Sequence, residues 1–149
     1  MVWKLHATVA AIIERDNQFL MVEEIISGQQ VINQPAGHLD PDESLIDAAI
    51  RETQEETAWQ FTPDAITGIY LWKHPENGES FFRVAFCGSC DNHDASQALD
   101  DGIQAAVWKT REQLVQQAEK LRSPMVIDCI DDYLAGKRFP LDLLIDVAS

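Results

Sequence analysis

Three glutamates with helical spacing are the residues of this sequence whose arrangement points most directly to chemistry. Glu52, Glu55 and Glu56 stand in the run R-E-T-Q-E-E-T, and at roughly 100° per residue they cluster on one side of a helix. Like charges at this spacing repel by roughly a few tenths of a kcal/mol per pair, and a bound cation removes the repulsion. Mg²⁺ takes oxygen ligands and shares its shell with substrate phosphate, so the spacing predicts a site for it. A solvated acidic face is the simpler alternative.

The helix that carries these carboxylates is predicted from Leu45 to Thr57. Asp40 and Ser44 are both candidate N-caps, but D-P-D-E is typical of a turn. Ser44 followed three residues later by Asp47 makes a capping-box pattern, which favours Ser44 as the cap. The predicted stripe toward the core consists of Ile46, Ile50, Thr53 and Thr57.

The segment from Gly37 to Trp59 resembles the Nudix box, G-x(5)-E-x(7)-R-E-U-x-E-E-x-G-U with U apolar. The matching residues are Gly37, Glu43, Arg51, Glu52, Glu55 and Glu56. Two positions depart from the pattern, because Thr53 replaces an aliphatic residue and Ala58 replaces the final glycine. In the pattern, this glycine ends the helix in a left-handed conformation. With Ala58 at that position, the helix could end in a different conformation.

Further stretches resemble the NudJ group of phosphatases within this family: K-L-H-A-T-V-A, N-Q-P-A-G-H-L-D and L-R-S-P. The resemblance implies a Nudix-type three-layer α/β/α sandwich. It also implies hydrolysis of nucleoside di- and triphosphates, or of the pyrophosphate of the thiamine pyrimidine precursor. ADP-ribose or another nucleoside-diphosphate derivative is the alternative substrate, and a regulatory nucleotide-binding module is the non-enzymatic alternative.

Pyrophosphate hydrolysis needs neutralised phosphate charge and an activated water, and divalent ions supply both. Glu52, Glu55 and Glu56 are the predicted ligands of Mg²⁺ or Mn²⁺, and the resemblance implies that the backbone carbonyl of Gly37 completes the inner shell. Glu52 or Glu55 is the favoured residue to orient the water. The outside candidates for that role are Asp100 and Asp101, in the acidic loop D-N-H-D-A-S-Q-A-L-D-D-G.

Arg51 is the one cation of the box. The resemblance implies that it assists catalysis by orienting Glu52 or by pairing with Glu43. The alternative is a surface pair with Asp47, which contributes little to stability. Glu43, like Ser44, is then a structural residue of the motif.

Few basic residues are present to bind phosphate. Arg122 has the strongest local argument, because Ser123 and the helix start after it favour an anion. The predicted substrate-binding residues are Arg83, Arg122, Ser123 and His38, with Lys73 as a further basic candidate. His6 is predicted to be a half-buried histidine of the first strand. Trp3, Tyr70 and Trp72 are able to stack a ring, although core packing is the simpler role.

Alternating apolar residues and turn signals predict the remaining elements. The predicted strands are Val2–Ile13, Phe19–Glu23, Val31–Gln34, Ala65–Trp72, Ser80–Phe86 and Ala105–Lys109. The further helices are Arg111–Lys120 and one capped by Ser123, with Pro124 at its first position, that runs to about Leu134 and ends at Gly136. The C-terminal run L-D-L-L-I-D-V-A-S is expected to pack back as a short strand or helix. The pattern predicts one α/β domain over residues 1–149, with a mixed sheet and helices on both faces.

Composition limits the partners of the chain. The net charge of -14 over 149 residues argues against nucleic acid polymers and anionic membranes, while a small anionic substrate remains compatible if metal bridges it. We expect a cytoplasmic protein, because the start lacks a signal-peptide pattern and no apolar run reaches about 18 residues. The sequence leaves open whether the protein is a monomer or a homodimer. Cys87 and Cys90 are predicted to be structural thiols of a reducing compartment.

Overall fold

The computed structural model describes residues 2–147, which form seven strands, three α-helices and two short 3₁₀ segments. In chain order the strands and α-helices are β1 (Leu5–Arg15), β2 (Gln18–Ile26), β3 (Gln29–Asn33), β4 (Ala36–His38), α1 (Leu45–Thr57), β5 (Gln60–Lys73), β6 (Ser80–Asp91), β7 (Ile103–Lys109), α2 (Arg111–Gln116) and α3 (Met125–Leu134). The 3₁₀ segments are Ala118–Lys120 and Leu141–Leu143.

The strands form one mixed sheet that divides near its middle. The main path is β3-β2-β1-β6-β5, while β4 pairs with β1 and β7 pairs with β2. β1 and β6 are parallel and the other pairs are antiparallel. β1 and β2 pair only beside their connecting turn, at Glu14 with Phe19 and Arg15 with Gln18. Farther from the turn the two strands take different partners, so the sheet has two parts.

Apolar side chains pack on both faces of the sheet, because successive strand residues point to opposite sides. The cluster on the α1 side includes Val9, Ala11, Ile13, Ala48, Ala49, Val84 and Phe86. The cluster on the side of α2 and α3 includes Ile12, Ala85, Cys87, Leu114, Val126 and Ile130. This arrangement confirms the predicted three-layer α/β/α sandwich with a mixed sheet.

Helix α1 has the predicted bounds. Ser44 is its N-cap, and the Ser44 hydroxyl accepts a hydrogen bond of 3.0 Å from the backbone N–H of Asp47. At the other end, Ala58 takes the left-handed conformation with φ 61° and donates its N–H to the carbonyl of Gln54. The helix therefore ends in the left-handed conformation that a glycine would adopt, at a cost of roughly 1–2 kcal/mol in backbone strain for an L-residue. Replacement of the glycine by Ala58 therefore does not change the way in which the helix ends.

Several strand boundaries differ from the prediction. β1 begins at Leu5 rather than Val2, β5 begins already at Gln60, and β6 continues to Asp91. β5 and β6 pair along this whole length, but bulges shift the register between Pro63 and Ala65 and again before Gly68. A bulge interrupts the alternation of apolar residues on which the prediction relied. The three-residue strand β4 was missed, because it is too short to show any periodicity.

The C-terminal helices also differ in detail. α2 ends at Gln116 and a separate 3₁₀ segment follows, so the predicted helix to Lys120 was too long. Pro124, rather than Ser123, is the N-cap of α3, although the Ser123 hydroxyl still accepts the N–H of Met125 at 3.2 Å. The predicted C-terminal element is a 3₁₀ turn, and Ala148 and Ser149 lie outside the described residues. No helix within residues 2–147 has the length and apolar character needed to cross a membrane.

The cysteine pair is divided between the two faces of the sheet. Cys90 packs in the cluster on the α1 side, whereas Cys87 packs in the cluster beneath α3. Both thiols are buried and free. They therefore pack as core residues, and their spacing does not bring the two sulfurs together.

Two buried threonines allow a matched test of what it costs in stability to bury a hydroxyl group without a hydrogen-bond partner. Thr67 and Thr53 are both inaccessible to solvent, but the Thr67 hydroxyl has no hydrogen-bond partner among residues 2–147, whereas that of Thr53 donates to the carbonyl of Ala49 at 2.8 Å. We predict that Thr67→Val raises the free energy of unfolding by about 1–2 kcal/mol, because a buried hydroxyl without a partner is costly. Thr53→Val should give no such gain. Equal changes in denaturant unfolding would contradict this reasoning.

Candidate active site and metal centre

Three acidic side chains meet at the C-terminal half of α1. Glu52, Glu55 and Asp100 each offer a carboxylate oxygen, and these oxygens lie within 4.8 Å of one another. Two of the residues belong to α1, and the third belongs to the loop 92–102 between β6 and β7. Hard oxygen donors at this spacing fit a divalent cation such as Mg²⁺ or Mn²⁺. We refer to these three residues as the carboxylate cluster.

The loop 92–102 is fastened to the end of α1 by hydrogen bonds. The backbone N–H of Asp100 donates to the Glu55 carbonyl at 3.0 Å, and the N–H of Asp94 donates to the Ala58 carbonyl at 3.0 Å. The last carbonyls of a helix lack intrahelical partners, so the loop satisfies groups that otherwise require water. This docking brings Asp100 into the carboxylate cluster. The other acid predicted from this loop, Asp101, belongs to no such cluster within the described chain.

Gly37 lies against the carboxylate of Glu52. A Cβ atom built on Gly37 would overlap the carboxyl carbon and both oxygens of Glu52. Pairing of β4 with β1, in which Gly37 faces Val9, holds the glycine there. Glycine at this point of the box therefore lets the backbone approach the carboxylate closely, whereas a Cβ atom would displace the end of the Glu52 side chain.

Arg51 connects the box loop to the carboxylate cluster. Its guanidinium binds both oxygens of Glu43, at 2.7 and 3.0 Å, and also donates to Glu52 at 2.8 Å and Glu55 at 3.1 Å. A further hydrogen bond of 3.0 Å reaches the carbonyl of His38. The hydrogen bonds from Arg51 hold the pKa of Glu43 below its usual range. Both contacts expected of Arg51, with Glu43 and with Glu52, are present.

Glu56 is set apart from the carboxylate cluster. Its side chain is buried, and one carboxylate oxygen accepts the backbone N–H of Ala36 at 2.9 Å. Burial raises the pKa of Glu56 to about 9, and burial is also the first cause of the raised pKa values of Glu52 and Glu55. The predicted trio is thus divided: two of its members lie in the carboxylate cluster, while Glu56 faces the neighbouring cavity.

A cavity of about 200 Å³ adjoins Glu56 and Gly37. Its lining comes from both parts of the sheet and from the start of α3, and comprises Thr8, Glu24, Ile26, Asn33, Ala36, Gly37, His38, Glu56, Trp72, Phe81, Arg83, Arg122, Ser123 and Met125. All four predicted substrate-binding residues, His38, Arg83, Arg122 and Ser123, are among them. Lys73 and Tyr70 are not.

Arg83 brings a buried positive charge to this cavity. The residue is 3% exposed, and its guanidinium donates to the side-chain oxygens of Gln34 at 2.9 Å and Asn33 at 3.1 Å. Its Nε atom has no hydrogen-bond partner within residues 2–147, and no carboxylate there forms an ion pair with it. A buried cation without a counter-charge is costly, so Arg83 favours an anion at its side of the cavity, which Glu24 and Glu56 also line.

Among the other residues that line the cavity, some were predicted from the sequence and some were not. His38 was found from its place after Gly37, and burial, followed by His6 and Arg122, lowers its pKa. Glu24 was missed, because it lies in β2, far along the chain from the box, and only the division of the sheet brings it to the cavity. It is half-buried, and its pKa is raised by burial. Phe81 was missed for the same reason, whereas Asn33 was missed although it stands only four residues before Gly37.

Comparison with known proteins identifies relatives over almost the whole chain. Residues 4–128 match the NUDIX domain. The chain is 38% identical over 144 residues to the phosphatase NudJ of Escherichia coli strain K12, covering 97% of this chain and 93% of NudJ. NudJ of Shigella flexneri matches to the same extent.

Solved structures give the same picture. A NUDIX hydrolase from Nitrosomonas europaea superposes with a TM-score of 0.94 and 45% identity, covering 97% of this chain and 98% of that one. A MutT protein from Methanosarcina mazei Go1 superposes with a TM-score of 0.72 at 21% identity, covering 93% of this chain and 99% of that one. The second likeness shows the shared fold alone.

The neighbouring acids Asp100 and Asp101 give a matched test of the carboxylate cluster. We predict that Asp100→Asn weakens Mn²⁺ binding by about 10- to 100-fold, because it removes one charged oxygen donor. Asp101→Asn should leave the affinity unchanged, although it removes the same charge from the same loop. Isothermal titration with Mn²⁺ measures both, and equal affinities of the two variants would remove Asp100 from the site.

Proposed function

The chain belongs to the NUDIX family of hydrolases, and from this premise we propose that it hydrolyses phosphoanhydride bonds of small nucleotides or of the thiamine pyrimidine precursor pyrophosphate. The proposed cofactor is Mg²⁺ or Mn²⁺. The observation that carries the proposal is the carboxylate cluster beside a cavity that contains a buried arginine, Arg83, which forms no ion pair with any described residue. We also take residues 1–149 as one domain of a cytoplasmic protein, which acts as a monomer or homodimer.

The residues of this chain fit a divalent cation by their chemistry. We assign its binding to Glu52, Glu55, Glu56 and the carbonyl of Gly37, and we add Asp100 because its carboxylate lies in the cluster. When bound, such an ion neutralises phosphate charge and lowers the pKa of a water molecule. Glu56 is buried and has no basic partner within residues 2–147, which supports its inclusion, since a cation would compensate the charge of this carboxylate.

Glu52 and Glu55 are the residues that we propose to orient the attacking water. Arg51 donates one hydrogen bond to each of these carboxylates from the same nitrogen, so it fixes their relative orientation. Glu43 in turn holds the guanidinium through two hydrogen bonds, an arrangement with high geometric specificity. The role of Arg51 is therefore to position the catalytic carboxylates, with Glu43 as its structural support.

We propose that the anionic end of the substrate is recognised by Arg83 and Arg122. Ser123 and the N-terminus of α3 support this, because the dipole of a helix start favours negative charge. His38 lies at the same cavity, next to Gly37.

The size of the cavity bears on the rest of the substrate. At about 200 Å³ it is smaller than the roughly 300–1,000 Å³ typical of sites for drug-sized ligands. A cavity of this volume encloses only part of a molecule such as ADP-ribose, which remains the alternative substrate. A regulatory nucleotide-binding module is the non-enzymatic alternative, and the retained acidic residues of the box weigh against it.

A hydrolysis assay in which chromatography detects every cleavage product tests the proposed function, because cleavage of the diphosphate of ADP-ribose or coenzyme A yields two phosphate monoesters and no free phosphate. The purified protein is incubated with Mg²⁺ and separately with nucleoside di- and triphosphates, ADP-ribose, coenzyme A and thiamine precursors. We expect turnover of a small phosphoanhydride and loss of all turnover with EDTA. The melting temperature should be unchanged in EDTA, because the packing of the apolar core does not depend on the metal. Turnover that survives chelation, or absence of turnover throughout the panel, would contradict the proposal.

Replacement of a single glutamate separates the metal site from the acidic surface. We predict that Glu56→Gln lowers turnover by about two orders of magnitude or more, because glutamine keeps the acceptor for the Ala36 N–H but carries no charge. Without metal its melting temperature should stay the same or rise, since a buried carboxylate is removed. The control is Glu112→Gln on the exposed side of α2, which should change stability by less than about 0.5 kcal/mol and leave turnover intact. Similar turnover of the two variants at saturating Mg²⁺ would refute the metal site.

A further inference from the structure

Three aromatic side chains stand in a row across the sheet beside the cavity. His6 of β1 is the register partner of Phe81 in β6, and Phe81 is the register partner of Trp72 in β5. The His6 ring stacks on Phe81 with centroids 4.7 Å apart and an angle of 16°, while Trp72 tilts against Phe81 at 5.8 Å. Phe81 and Trp72 line the cavity. The stacking fixes the plane of the His6 ring next to the proposed substrate site.

Both nitrogens of His6 are engaged by side chains from distant parts of the chain. Nε2 lies 2.9 Å from a carboxylate oxygen of Glu79, in the turn before β6. Nδ1 lies 3.2 Å from Nε2 of His38, at the end of β4. Since β4 pairs with β1 with His38 opposite Thr8, the two histidines are diagonal neighbours on adjacent strands. Side chains at this separation are within reach of each other.

The chemistry of these contacts determines the direction of the hydrogen bonds. An ionised carboxylate only accepts, so Nε2 of His6 carries the hydrogen that faces Glu79. In neutral His6 the other nitrogen, Nδ1, then has a lone pair. The 3.2 Å contact is therefore a hydrogen bond donated by Nε2 of His38, and Nδ1 of His38 is left as an acceptor.

The backbone of His38 is held as well as its side chain. The carbonyl of His38 accepts a hydrogen bond of 3.0 Å from Arg51, the residue that also binds the carboxylates of Glu52 and Glu55. His38 is thus tied to the carboxylate cluster through its peptide and to the aromatic row through its ring. Its position at the cavity next to Gly37 makes a fixed acceptor there useful for binding.

We infer that Glu79 and His6 form a positioning pair that holds the His38 imidazole in one tautomer and one orientation at the cavity, so that its Nδ1 accepts a hydrogen bond from a hydroxyl or amino group of the substrate. This inference deepens the proposed function and rests on it for the identity of the cavity as the substrate site. Glu79 and His6 do not contact the substrate themselves. They act through His38.

The tautomer is measured directly by NMR on the full chain with ¹⁵N-labelled histidine, at a pH of about 8, above the ordinary range of histidine. His38 should carry its hydrogen on Nε2 in the wild-type protein. In His6→Phe, which keeps the stacking on Phe81, and in Glu79→Ala, the fraction of this tautomer should fall toward that of a solvent-exposed histidine. Glu76→Ala, in the same exposed turn, is the control and should match the wild type. A hydrogen on Nδ1 of His38 in the wild type, or an unchanged tautomer fraction in His6→Phe, overturns the inference.

Kinetics on the phosphoanhydride that the wild type hydrolyses separate positioning from general support of the fold. His6→Phe should raise KM about tenfold, the equivalent of one hydrogen bond, and leave kcat within about twofold. In a His38→Phe background, His6→Phe should have no further effect, because the acceptor that it positions is gone. Equal effects of His6→Phe in both backgrounds overturn the inference. Absence of wild-type turnover overturns the proposed function instead, whereas wild-type turnover with His6→Phe unaffected overturns the inference alone.

Discussion

The concentration of negative charge at the C-terminal half of α1 is the constraint on which the rest of the site depends. Glu52, Glu55 and Asp100 lie close enough to repel one another. Burial adds to the free-energy cost of their negative charge and raises the pKa of both glutamates. Arg51 offsets part of this repulsion through hydrogen bonds to both glutamates. The residual charge is the reason why the site suits a divalent cation. A helix with this cluster would be disfavoured if stability alone had selected its residues.

The surrounding structure keeps this repulsive arrangement in place. Loop 92–102 is anchored on the last carbonyls of α1, so Asp100 approaches its like-charged neighbours because its own backbone gains a hydrogen bond to Glu55. The backbone of Gly37 is able to lie against the Glu52 carboxylate because glycine has no side chain. Both contacts depend on α1 being packed on the sheet through its apolar face. The apolar core thus offsets the local electrostatic cost of the site.

Charge is also distributed unevenly around the cavity. The chain as a whole carries a net charge of -14, which repels an anionic substrate at long range. At the cavity, however, Arg83 is buried among amide groups, and Arg122 lies at the start of α3. A positive charge held in a desolvated position interacts with an anion more strongly than the same charge on the surface. The burial of Arg83 therefore favours an anion locally, despite the net negative charge of the chain.

The sequence by itself determined the parts of this protein whose physics is local. The bounds of α1, its Ser44 cap and the placement of Arg51, Glu52 and Glu55 on one helix follow from spacing over fewer than two dozen residues. The place of Gly37 and Glu43 beside that helix was implied by the resemblance to the Nudix box. The layered α/β architecture followed from alternation and turn signals. The strand ends of β5 and β6 did not, because bulges break the alternation that reveals a strand.

Only the tertiary structure decided which distant residues complete the site. It distinguished Asp100 from Asp101, which are equivalent in sequence, because a single backbone hydrogen bond sets which of them meets α1. It separated Glu56 from Glu52 and Glu55, since packing of β4 against α1 covers Glu56. It also joined Glu24, Arg83 and His38 in one cavity, because β1 and β2 part beyond their turn and exchange partners. Side-chain periodicity carries no information about such separations, which arise from the pairing of strands that are remote in the chain.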